Sequence, residues 1–125
     1  MKKLEYIPGD LVFHYIPKTT IKKYVKVYVC STNNALSLED MDGNLYDYIG
    51  VLYPIPLTPE ILEKNEWKKL YEKFFEKNVN NIRLTIEFSE NIYVAINRIF
   101  IMEIHYIHEL QHLLFGLGLN SEMEV

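Results

Sequence analysis

The sequence predicts an α+β fold: a small antiparallel sheet or SH3-like barrel at the N-terminus, then a helix, a β-hairpin and a C-terminal amphipathic helix. Three observations carry that prediction. Residues up to about 55 fall into short apolar runs that alternate and are broken by turn residues. Thr58-Pro59-Glu60 has the composition of a helix start. The stretch from Ile104 to Leu117 repeats its apolar residues at helical spacing, and Gly116 or Gly118 can stop it. The 125 residues are read as a single domain, 1–125, whose β-rich lobe (1–55) and helix-hairpin-helix lobe (56–125) share a core.

In order along the chain, Pro8-Gly9-Asp10 is a turn, and "LVFHYI" after it is a strand ending before Pro17. "KKYVKVYVC" alternates, with Val25, Val27 and Val29 on one side and Tyr24, Lys26 and Tyr28 on the other. Asp42-Gly43 between apolar runs predicts a two-residue hairpin turn. Pro54 and Pro56 forbid a central strand and make an extended connection. Thr58 is the expected N-cap with Pro59 at the first helical position, and Leu57 and Leu62 are spaced as a hydrophobic staple. Asn65 is expected to close this helix in a left-handed conformation. Trp67, Leu70, Phe74 and Phe75 then predict a second helix with an apolar core stripe. Ile82, Leu84, Ile86 and Phe88 alternate with polar residues, "SEN" turns the chain, and Ile92, Val94 and Ile96 resume the pattern before Asn97 and Arg98 disturb it.

About half of the residues are hydrophobic (49%) and about a quarter charged (24%), an ordinary globular balance. A formal charge of -4 argues against nonspecific nucleic-acid binding, which needs a concentrated positive field. Lys18, Lys22, Lys23 and Lys26 form the one candidate basic patch, and the usual reading of such a run is the solvated face of an edge strand. A single cysteine, Cys30, permits no intrachain disulfide and no cysteine-based zinc finger. No secretory leader is read at the N-terminus and no apolar run approaches the roughly 18 residues of a membrane span, so a cytoplasmic protein is expected.

His108-Glu109-Leu110-Gln111-His112 spells H-E-x-x-H, the zinc-peptidase pattern of two histidines one turn apart with a glutamate base between them. On a helix drawn over 104–117 at about 100° per residue, Ile107, Leu110, Leu114 and Leu117 make one stripe and His105, His108 and His112 share the opposite face. Catalytic zinc takes three protein ligands. The metzincin third ligand would fall at Gly118, and only Glu122 and Glu124 are placed for a later glutamate ligand. His105 does not readily converge with two histidines of the same straight helix. The sequence therefore predicts no catalytic residues, no cofactor and no metal, with His108, His112, Glu109 and His105 as the alternative zinc set. His14 is read as a packed or partly exposed strand residue, Cys30 as a buried inert thiol, and Glu39, Asp40 and Asp42 as solvated turn carboxylates.

"PIPLTPEILEKNEWKK" and "IHYIHELQHLLFGLGLNSEMEV" resemble a family of short, uncharacterised proteins encoded by gut bacteria and their phages or mobile elements. That family carries a P-I-P-L-T-x-E-x-L-x-K-N-G-[FW] segment and a closing Y-V-H-x-L-Q-x-L helix. Glu66 stands here where the family usually has Gly, and Ile107 where it often has Val. In the family the positions of Glu109 and His112 vary, which implies a structural helix. The resemblance implies a phage or mobile-element accessory protein acting in the bacterial host's cytoplasm, and no activity. The expected function is a non-enzymatic interaction module with a protein partner, Tyr24, Tyr28, Tyr46 and Tyr48 offering contact surface. The alternatives are a zinc-dependent hydrolase using the HELQH segment and a nucleic-acid-binding small barrel.

Overall fold

The computed structural model describes residues 9–15, 22–29, 36–47 and 51–125. It is mixed α+β and mostly strand, with two antiparallel five-stranded sheets. The chain divides into two compact units, Met1–Ile55 and Pro56–Val125.

The first unit holds β1 (Leu11–Tyr15), β2 (Lys22–Val29), β3 (Leu36–Asp40), β4 (Leu45–Asp47) and β5 (Val51–Pro54), in the sheet order β4-β3-β2-β1-β5. Period-2 alternation makes one face apolar, and Val12, Val25, Val27 and Leu38 bury it together, with Leu52 against them. Pro54 ends β5 on the sheet's edge, where a missing N–H costs no ladder bond. The turn at Asp42-Gly43 is longer than two residues. Asp40 and Asn44 pair through their backbones, and the Asp40 carboxylate accepts from the N–H of Asp42 and of Asn44. Gly43, at φ 86, takes the left-handed position that closes this three-residue loop.

The second unit is a meander between two helices: α1 (Pro59–Lys64), β6 (Lys68–Tyr71), β7 (Phe74–Val79), β8 (Ile82–Phe88), β9 (Ile92–Ile96), β10 (Ile99–Ile104) and α2 (Ile107–Gly116). Each strand pairs with its neighbour in sequence, in the order β10-β9-β8-β7-β6. Short turns make this possible. Asn80 and Asn81 have φ of 49 and 66, and Asn97 and Arg98 have φ of 50 and 70. Two positive φ values in a two-residue loop suit the right-handed twist of the flanking strands, and asparagine tolerates that region better than most residues. The Asn97 side chain also accepts from the Arg83 N–H at 2.9 Å, tying the turn to β8.

The helix expected over Trp67–Phe75 is instead the β6–β7 hairpin, turning at Glu72-Lys73. Its helical spacing was an accident of a register shift: β6 carries an irregularity between Lys69 and Tyr71. Pairing of β7 with β8 over six residues, from Phe74↔Glu87 to Val79↔Ile82, outweighs the local helical preference of lysine and glutamate. Likewise the C-terminal helix starts at Ile107, because Ile99–Ile104 pairs with β9 rather than coiling.

α1 begins as its sequence predicts. The Thr58 hydroxyl accepts from the Ile61 N–H at 3.3 Å, Pro59 occupies the first turn, and Leu57 and Leu62 are both buried. Its end differs. Asn65 has φ -102 and it is Glu66, at φ 67, that turns left-handed. Glu66 N–H donates to Glu63 C=O and Trp67 N–H to Leu62 C=O, the paired bonds of a Schellman motif, with Trp67 and Leu62 both buried. α2 ends the same way on Gly118, at φ 74, through Gly118 N–H to Phe115 C=O and Leu119 N–H to Leu114 C=O. Asn65 has another task. Its side-chain amide donates to Glu124 C=O and accepts from Glu124 N–H, both at 2.8 Å, so it holds the C-terminal segment as a strand neighbour would.

Two stability predictions follow. Glu66→Gly removes the left-handed penalty on a residue with a Cβ and raises stability by about 0.5–1 kcal/mol, measured as a higher Tm or urea midpoint. Asn65→Ala breaks both bonds to Glu124 and costs about 1–2 kcal/mol by the same measurement.

Candidate functional site

The HELQH residues are brought together only in part. His108 is buried (2% exposed), as is Gln111, whose amide donates to Ser121 C=O at 3.0 Å. The shared, solvated histidine face expected on α2 is therefore not formed. The helix buries Ile107, His108, Leu110, Gln111 and Leu114, and it leaves Phe115 exposed. His105 precedes the helix in extended chain, its C=O accepting from the Leu57 N–H and its Nε2 3.6 Å from the Glu103 carboxylate. His108 stacks on Tyr106 at 5.8 Å between ring centroids and meets His112 edge-on at 5.5 Å.

Glu109, the base of a zinc peptidase, is occupied elsewhere. Its Oε1 accepts from the N–H groups of His105 at 2.9 Å and Tyr106 at 3.0 Å. At the third helical position it is the reciprocal half of a capping box, satisfying donors that a helix start leaves orphaned and placing negative charge at the positive end of the dipole. Among the described residues no three His, Cys, Asp or Glu side chains gather closely enough to hold a metal ion. The set His105, His108, His112 and Glu109 thus supplies two neighbouring imidazoles and a cap, which does not fit catalytic zinc with its three ligands.

A different surface takes shape on the second sheet. Antiparallel partners share a face, so the register lines up Tyr71, Phe74, Glu87, Tyr93 and Glu103 across all five strands. The next row is Glu76, Thr85, Ala95 and Phe100. The opposite set, Phe75, Leu84, Ile86 and Val94, is buried. The open face is aromatic at both ends: Tyr71 meets Phe74 edge-on at 5.9 Å, and Tyr93 meets Phe100 at 5.8 Å. Tyr71 is 72% exposed and Phe100 61%. Between them the small side chains of Thr85 and Ala95 leave a shallow concavity of about 170 Å³, walled by Phe74, Tyr93 and Phe100 and flanked by Glu87 and Arg98. Beside it Arg83 pairs with Glu76.

Sequence reasoning missed this surface because it placed Tyr71 and Phe74 on a helix and Phe100 in the approach to another. The signal that finds it is the pair Asn80-Asn81 and Asn97-Arg98, dipeptides suited to left-handed turns that flank β8–β9 and enforce a meander. Of the contact residues expected instead, Tyr48 lies outside the described residues, as do Lys18 and Cys30, and so do the side chains of Tyr24, Tyr28, Tyr46, Lys22, Lys23 and His14. Lys26 is half-buried in β2.

The capping role of Glu109 predicts that Glu109→Ala lowers stability by about 1 kcal/mol, and that the loss is the same with and without a chelator. Thermal denaturation in buffers with and without EDTA checks it; a chelator-sensitive Tm in the unmutated chain contradicts the structural reading.

In comparisons with family models, with curated proteins and with solved structures, nothing matches this chain.

Proposed function

We propose that the protein is a non-enzymatic protein-interaction module, an accessory protein of a phage or mobile element working in the cytoplasm of its bacterial host, and that the open face of its second sheet is the contact surface. The observation that carries the reading is the aromatic row itself. Phe74, Tyr93 and Phe100 wall a concavity with a small-residue floor, Tyr71 extends the row beside Phe74, and an exposed aromatic patch of this kind marks an interaction site. Aromatic side chains are the ones protein interfaces favour, since each covers much area at a low entropic cost. The concavity is sized for one apolar or aromatic side chain of a partner.

The biological setting rests on the resemblance of the Pro54–Lys69 and Ile104–Val125 segments to the gut-bacterial and phage family. The conformation of Glu66 supports it: this residue is left-handed at φ 67, where the family carries glycine. The net charge of -4 favours a protein over a nucleic acid as partner. The capped state of Glu109 speaks against the zinc-hydrolase alternative.

In the test, immobilised protein is incubated with lysate of the host bacterium, alongside a Tyr71→Ser/Phe74→Ser variant whose far-UV circular dichroism is unchanged. A discrete protein is retained by the native face and falls about tenfold or more with the variant. Equal retention by both, or none by either, overturns the reading.

A further inference from the structure

The two edges of the second sheet are built differently. β6 carries Lys68 and Lys69, both exposed. Lysines on an edge are a device by which natural sheets discourage strand addition. β10 has neither lysine nor proline. Ile99, Phe100 and Ile101 are 66%, 61% and 45% exposed in succession, and Met102 follows. Among the described residues no strand covers its outer side. Only beyond its end does Pro56-Leu57 pair with His105-Tyr106.

This apolar run is bracketed by opposite charges, Arg98 before it and Glu103 after it. β10 also has its own irregularity: Phe100 pairs with Ala95 and Met102 with Val94, so Ile101 is an extra residue. Its effect is on facing. Phe100 and Glu103, three apart, both pair with open-face residues of β9, and Arg98 lines the concavity on that face. Ile99 and Met102, also three apart, pair with Ile96 and Val94 on the other face.

We infer that β10 is the pairing edge for a second copy of this chain, the two sheets joining antiparallel about a two-fold axis between Phe100 and Ile101. In that register Arg98 meets Glu103 of the second copy and Ile99 meets its Met102, each pair on a matching face. Without the extra residue, Arg98 and Glu103 would point to opposite faces and the charges would not match. Two like strands related by a two-fold axis satisfy each other and close the assembly, whereas pairing β10 to β6 would leave free edges and propagate. The charge match is what selects a copy of the same chain over an arbitrary extended peptide. The inference adds an occupant for β10 to the contact-surface reading of this sheet, and it is tested through residues that the Tyr71 and Phe74 experiment leaves intact.

Sedimentation equilibrium over a roughly 100-fold concentration range tests it directly. The expected result is reversible association to twice the chain mass of 14.9 kDa. Arg98→Glu and Glu103→Arg each place like charges opposite one another and weaken the dimer about tenfold or more, while the double swap restores it. Far-UV circular dichroism and a thermal midpoint unchanged in each single variant show that the single variants still fold. A chain that stays monomeric, single swaps without effect, a double swap that fails to rescue, or growth beyond the dimer each overturn the proposal. A monomer that still loses its partner on Tyr71→Ser/Phe74→Ser overturns the dimer alone and leaves the interaction module standing.

Discussion

One backbone constraint organises the second unit: the left-handed residue after α1. With Glu66 at φ 67, the chain reverses out of the helix and delivers Trp67 into the interior, its N–H bonded to Leu62. A continuing helix would have carried Trp67, Leu70 and Phe74 down one side and left β8 without β7. Because the reversal happens at residue 66 rather than 65, Asn65 keeps an ordinary backbone and its side chain is available. That amide takes both backbone groups of Glu124, while its own C=O accepts from Lys77 Nζ at 3.1 Å. Helix end, sheet and C-terminal segment therefore meet on one residue, and the strain next to it is the local cost of that junction.

The C-terminal helix shows how a residue pattern can carry a chemistry in sequence and a different one in space. A glutamate flanked by histidines at helical spacing suits zinc only when its carboxylate faces the same cleft as the imidazoles. Here the glutamate lies in the first turn, where backbone N–H groups lack acceptors, and a carboxylate three residues past the cap reaches back to them. Position within the helix decides its role. Had the helix begun at Ile104, as periodicity suggested, Glu109 would sit in the second turn and be free for other work. The strand pairing of β10 with β9 shortens the helix and so changes the chemistry of the motif.

Much of the fold was legible and the reasons for the failures are specific. Alternation identified the buried valines of β2 and the β8–β9 hairpin, and the Thr58-Pro59 start was written in residue types that perform one task each. The misread segments all belong to strands whose periodicity is broken by an extra residue. Near Lys69–Tyr71 and Phe100–Met102 the pairing register shifts, so apolar residues fall three or four apart and imitate a helix. The candidate surface inherited that error, since its outer aromatics, Tyr71 and Phe100, lie at those two shifts. The positive-φ asparagines at 80, 81 and 97 carry the correcting information, but single-residue turn preference is a weaker signal than hydrophobic period.

The asymmetry of the meander then follows from its ends. A sheet of sequential hairpins always has two edges, and each must be paired, covered or made inhospitable. β6 follows the strained exit from α1 and carries lysines, which cost it little because its neighbours in sequence already fix its place. β10 leads into α2 and is covered past its end by Pro56-Leu57, which secures that junction but not the four apolar residues before it. Covering those four internally would take another strand, and among the described residues those after β10 form α2 and the segment clasped by Asn65. An apolar edge left at that place, closed at one end and charged at both, is explicable as a site completed from outside the chain.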